Sequence, residues 1–90
     1  MDLQQRFTVA SEEVQRLQRK PEKNSLLSLY AFYKQATVGD ISTKRPGLLD
    51  PVGRAKWDAW SAVKGKSTLS AMEDYVSLVD GLKKEVGVRD

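Results

Sequence analysis

Leu3, Phe7, Ala10, Val14 and Leu17 recur at steps of four, three, four and three, and this spacing narrows what the chain can fold into more than any other feature. It puts all five side chains on one face of a helix and is incompatible with the two-residue alternation of a half-buried strand. Asp2 can cap the start, with Gln5 at the reciprocal position of a capping box. Lys20-Pro21 ends the segment, because proline disfavours helical backbone at the residue before it. The pattern predicts a first helix over roughly residues 3 to 18.

Three more segments follow the same logic. From about Glu22 to Val38 the chain is helical in pattern, but Leu26, Leu27, Leu29, Tyr30, Phe32, Tyr33 and Ala36 cover too much of the circumference for one core stripe. Gly39 supplies the left-handed position that ends a helix, and Asp40 to Asp50, with Arg45-Pro46-Gly47 inside it, reads as an ordered loop. A loop of that length in a small domain is functional or well packed. Asp50-Pro51 is a helix start, an N-cap followed by proline at the first helical position, and this third helix should reach about Val63, with Gly65 beyond it. Ser67 caps a fourth helix with the stripe Leu69, Met72, Val76, Val79, Leu82 and Val86, stopped by Gly87. With no strand alternation or internal repeat, the expectation is an all-α bundle of four helices, a single domain over residues 1 to 90.

Composition removes whole classes of chemistry. With no cysteine and no histidine there is no thiolate or imidazole for zinc, haem or iron-sulfur ligation, and no Cys-His or Ser-His nucleophile. No metal and no cofactor are expected. Glu12-Glu13 and Glu73-Asp74 are adjacent pairs, and neighbours on a helix do not face each other as an acid and base must. No apolar run approaches a membrane span, no lipidation signal is visible and Met1 to Phe7 lacks a secretory apolar stretch. A soluble, cytoplasmic protein is the expectation.

Charge is unevenly placed. Arg16 to Lys66 carries eleven basic residues against four acidic, a local +7, while the rest of the chain carries four against eight. A solvated surface of uneven charge explains this as well as an anion-binding face does. Tyr30, Tyr33 and Lys34 fall within one helical turn, where two phenols and an ammonium can bind an aromatic base with an attached phosphate, although a tyrosine pair at that spacing also serves as core packing with hydroxyls at the rim. In the third helix, Trp57 and Trp60 suit core positions, and Lys56 is either solvated or a point charge for phosphate. Tyr75 reads as a semi-buried residue with a wet hydroxyl at the edge of the fourth stripe.

Tyr30-Ala-Phe-Tyr-Lys-Gln-Ala-Thr-Val-Gly-Asp40, Arg45-Pro-Gly-Leu-Leu-Asp50 and Gly53 to Trp60 together resemble the acyl-CoA binding protein family, and the similarity extends from Phe7 to Gly87. The resemblance implies an up-down-down-up four-helix bundle with a surface groove. It implies reversible binding and transport of fatty acyl-CoA esters, without catalysis, by a monomer. Tyr30, Lys34 and Lys56 then match positions that hold the CoA head group, chiefly its ribose 3′-phosphate. Tyr33 and Tyr75 match further ligand-contacting tyrosines, Leu26 and Leu27 match the acyl path, and Lys20 matches a basic residue at its border. Gln15 stands where the family usually has a basic residue, a charge that Arg16 can supply; Phe32, Pro51 and Val86 are further departures.

Partners implied are fatty acyl-CoA and, transiently, acyl-CoA-using enzymes or membrane surfaces. Rival readings are a helical interaction module whose basic face meets an acidic receptor, a nucleic-acid binder and a thioester hydrolase or transferase. No recognition helix or displayed stacking platform supports nucleic acid, and no nucleophile supports thioester chemistry.

Overall fold

Three of the four helices begin at a side chain that takes up amides a helix start leaves free. Asp2 accepts from the Gln5 N–H at 2.8 Å, and the Gln5 side chain accepts from the Asp2 N–H at 3.1 Å, opening α1 (Leu3–Glu13). α2 (Lys23–Thr37) starts behind Glu22 without a side-chain cap. Asp50 accepts from the Gly53 N–H at 2.9 Å, with Pro51 as the first residue of α3 (Pro51–Ser61). Ser67 accepts from the Ser70 N–H at 3.0 Å to begin α4 (Thr68–Val86). The computed structural model describes residues 1–89, and among them the only extended pairing is one antiparallel bridge between Leu17 and Val88.

That bridge corrects the expected extent of the first helix. α1 stops at Glu13, tightens into a 3₁₀ turn at Val14–Arg16 and gives way to an extended Leu17. The Gln18 N–H donates to the Gly87 carbonyl at 3.0 Å and the Arg89 N–H to the Arg16 carbonyl at 2.8 Å. Backbone pairing with the chain that follows α4 replaces the last helical turn, while Leu17 keeps its place in the core. α3 likewise ends two residues earlier than the pattern implies, in a turn at residues 62–65.

α4 is the centre of the bundle. α1 and α2 both pack on it, and α3 packs on the far side of α2. In this up-down-down-up order α2 and α3 run parallel, so the chain needs the long 38–50 connection to return to the start of α3. The buried face of α4 is Ala71, Tyr75, Val76, Val79 and Leu82, against Phe7, Ala10, Leu29 and Ala36. Leu69, expected in that stripe, is exposed: two positions before Ala71 it lies about 200° round the helix from it.

One polar residue is held inside. Gln35 is 1% exposed; its amide donates to Asp40 and to the Lys66 carbonyl, both at 2.8 Å, and its oxygen accepts from Trp60 Nε1 at 3.1 Å. Trp60 Nε1 also donates to the Gly39 carbonyl at 2.9 Å, and Asp40 accepts from the Gly65 N–H at 2.8 Å. The Gly65 amide and the Gln35 amide, in that order, hold the Asp40 carboxyl below its usual range. Gly39, at φ 96°, makes the turn out of α2 that only glycine enters readily. This network ties the end of α2, the start of the long loop, α3 and the α3–α4 turn into one piece.

Candidate functional site

α1 and α2 both rest on α4 but diverge from each other, and a groove of 780 Å³ opens between them. α2 supplies one wall. Leu26, Leu29, Tyr30, Tyr33 and Lys34 follow one another at helical spacing along it, so the wall changes from apolar to aromatic to cationic over about 12 Å. Ser11, Val14, Gln15 and Leu17 form the opposite wall, and Arg19, Lys20 and Pro21 close one end. Tyr75 reaches up from α4 as floor.

The aromatic residues brace one another. Phe7 and Tyr33 stack at 5.6 Å, and Tyr75 meets Phe7 edge-on at 5.0 Å and Tyr33 tilted at 5.9 Å. At the cationic end Lys34 Nζ sits 5.1 Å from the Trp60 ring, Trp60 meets Tyr30 edge-on at 6.4 Å, and Lys56 Nζ sits 5.3 Å from the Tyr30 ring. The buried Trp60 thus links Lys34 to Tyr30 and Lys56, with one ammonium held by a cation–π contact on the indole and the other on the phenol ring. Among the described residues, none that lines the groove is acidic. Glu13, Asp58 and Asp74 are engaged by Lys83, Arg45 and Lys66 elsewhere on the surface.

Tyr75 departs from its sequence reading: the side chain is buried at 4% exposure, and burial first, then the neighbouring Tyr33, pushes its phenol up to about 12. It stays neutral at physiological pH and offers a proton. No polar side-chain atom among the described residues is both buried and unpartnered, so its hydroxyl opens to the groove.

Most of the residues singled out in the sequence come together here: Tyr30, Tyr33, Lys34, Tyr75, Gln15, Lys20 and Leu26 line the groove, and Lys56 joins from α3 through Tyr30. Leu27 does not. One position beyond Leu26 and about 100° round α2, it lines a separate 300 Å³ hollow with Phe32, Ala59 and Val63, on the α3 side. Arg16, considered as a substitute for the charge missing at Gln15, is not part of the wall either; Arg19 is. Helical counting misses Arg19 because the helix has already unwound there.

A chain with this groove can be set beside known proteins. Residues 4–79 match the family model described as Acyl CoA binding protein. The chain belongs to the acyl-CoA binding protein family. It is 47% identical over 78 residues to an acyl-CoA-binding protein homolog of Drosophila melanogaster, covering 87% of this chain and 91% of that one. It is 50% identical over 82 residues to an acyl-CoA-binding protein of Brassica napus, covering 91% and 89%. Its fold superimposes on the crystal structure of Oryza sativa Acyl-CoA-Binding Protein 2 with a TM-score of 0.89 at 44% identity, covering 92% and 90% of the two chains. For the acyl-CoA binding protein of Moniliophthora perniciosa the TM-score is 0.88 at 40% identity, covering 99% and 87%. Within this acyl-CoA binding protein fold, three of the four departures noted in the sequence lie away from the groove. Phe32 and Val86 pack against the core and Pro51 opens α3; only Gln15 faces the groove.

Proposed function

We propose that this protein binds medium- to long-chain fatty acyl-CoA esters reversibly, sequesters them and carries them through the cytoplasm as a monomer, releasing them to acyl-CoA-using enzymes or membranes without chemical change. The observation that carries this reading is the polarity of one continuous groove: apolar at Val14, Leu17, Leu26 and Leu29, phenolic and cationic at Tyr30, Tyr33 and Lys34, and without a carboxylate among the described residues that line it. Such a surface suits an anion joined to a hydrocarbon chain, and the missing acid–base pair leaves no group to cleave it.

In this reading Lys34, Lys56 and the Tyr30 phenol hold the 3′-phosphate, because a compact ammonium is a good point charge for phosphate and a phenol adds a directed donor. Tyr33 and Tyr75 border the head group and the first part of the chain, with the neutral Tyr75 hydroxyl as a donor. Arg19 and Lys20 add attraction at the rim. Leu26 and Leu29, with Val14 and Leu17 opposite, take the acyl chain.

Neither end suffices alone. Each buried methylene contributes roughly 0.8 kcal/mol, so about fourteen of them in a saturated sixteen-carbon chain offer at most about 11 kcal/mol before ordering costs are subtracted. Nanomolar dissociation needs about 12 kcal/mol, so the phosphate end must contribute. Affinity measured across a series of saturated acyl-CoA esters is therefore expected to rise with each added pair of carbons until the apolar wall is covered, then level off. The same affinity for acetyl-CoA and palmitoyl-CoA would remove the acyl path from the account.

A further inference from the structure

The long loop between α2 and α3 is anchored from behind and apolar in front. Arg45 grips Asp58 with two hydrogen bonds of 2.9 and 2.8 Å, Trp57 Nε1 donates to the Thr43 carbonyl at 2.8 Å, Arg54 donates to the Pro46 carbonyl at 3.3 Å, and Ile41 is buried. On this rigid base the Asp50 N–H closes a turn onto the Gly47 carbonyl at 3.1 Å, so Leu48 and Leu49 are its two central residues. They are 82% and 101% exposed, and Val52, in the first turn of α3, is 66% exposed. Scattered exposed aliphatics are ordinary. Two adjacent leucines on the tip of a braced turn, with a valine three residues on, form a protruding wedge with no protein surface against it.

The charges around the wedge name its partner. From Lys44 to Asp58 there are four cations and two carboxylates, and both carboxylates are occupied: Asp50 caps α3 and Asp58 is held by Arg45. Lys44 and Arg54 form no ion pair among the described residues. Leucines flanked by cations suit the interface of an anionic bilayer, where the apolar tip enters the headgroup boundary and the cations meet phosphate and carboxylate outside it. Val52 lies one helical turn before Lys56, so a wedge seated in a bilayer brings the cationic end of the groove to the lipid surface. We infer that the Leu48-Leu49 turn, with Val52, Lys44 and Arg54, is a docking surface for anionic phospholipid membranes.

This surface is distinct from the groove and is tested without cargo, so either reading can fail alone. Cargo-free protein is floated with vesicles of phosphatidylcholine and with vesicles of phosphatidylcholine mixed with phosphatidylserine. The expected result is flotation with the mixed vesicles and little with the neutral ones. Leu48→Ser/Leu49→Ser should lower the partition coefficient about tenfold or more. Lys44→Gln should lower it about fivefold. Both variants should keep the wild-type helical signal, thermal midpoint and palmitoyl-CoA affinity, since neither touches the core or the groove. Flotation unchanged by the serine pair, equal partition into neutral vesicles, or none into mixed vesicles would overturn the proposal. So would a concentration-dependent dimer in sedimentation velocity that the serine pair dissolves, because the leucines would then belong to a second copy of the chain.

Discussion

Replacing Lys34 and Lys56 together with alanine is expected to weaken palmitoyl-CoA binding by about a hundredfold or more while leaving the bundle folded. Both ammonium groups converge on the Tyr30 and Trp60 rings from different helices, at 5.3 and 5.1 Å, and neither is needed by the core. A charge-assisted hydrogen bond contributes about 1.5–3 kcal/mol, so each single variant should lose about tenfold and the pair roughly the product. The loss should also flatten the salt dependence of binding, since the strongest ionic attraction is gone. Tyr30→Phe, which keeps the ring under Lys56 and removes only the hydroxyl, should cost about fivefold. Thermal unfolding is the control: a midpoint that falls in step with affinity would mark the lysines as structural instead.

Gln35→Leu is expected to lower the thermal midpoint by about 10–25 °C. The buried amide makes three hydrogen bonds that leucine cannot, to Asp40, to the Lys66 carbonyl and from Trp60. The Trp60 N–H retains Gly39 and the exposed Asp40 carboxylate retains the Gly65 N–H, but the three bonds of the buried amide are lost together, at a cost of about 2–4 kcal/mol. Because Trp60 backs Lys34 and Tyr30, palmitoyl-CoA affinity should fall as well, although Gln35 lines no part of the groove. Differential scanning calorimetry with the single variant decides the point. An unchanged midpoint would show that Trp60 and Asp40 hold this junction without the amide.

The residues that punctuate the chain were the most legible part of it. Asp2 with Gln5, Asp50 with Pro51, Ser67, and the glycines at 39 and 87 fix helix ends through local chemistry that a few neighbouring residues carry. The groove face of α2 was legible for the same reason, since Tyr30, Tyr33 and Lys34 need only helical spacing to meet. What sequence reading missed depends on distant partners. Leu17 is drawn out of helical geometry by Val88, a contact across almost the whole chain, and Arg19 reaches the groove only because of that unwinding. Gln35 looks like any polar helix residue until Asp40, Trp60 and Lys66 close around it. Leu26 and Leu27 are equivalent in composition, and only the placement of α3 against α2 sends one to the groove and the other to the opposite hollow.

If one groove reads both ends of an acyl-CoA ester, isothermal titration of the protein with palmitoyl-CoA, beside free CoA and palmitate, will separate the two contributions. One-to-one binding of the ester is expected, with each separate part at least about a hundredfold weaker. Free CoA binding as tightly as palmitoyl-CoA would contradict it.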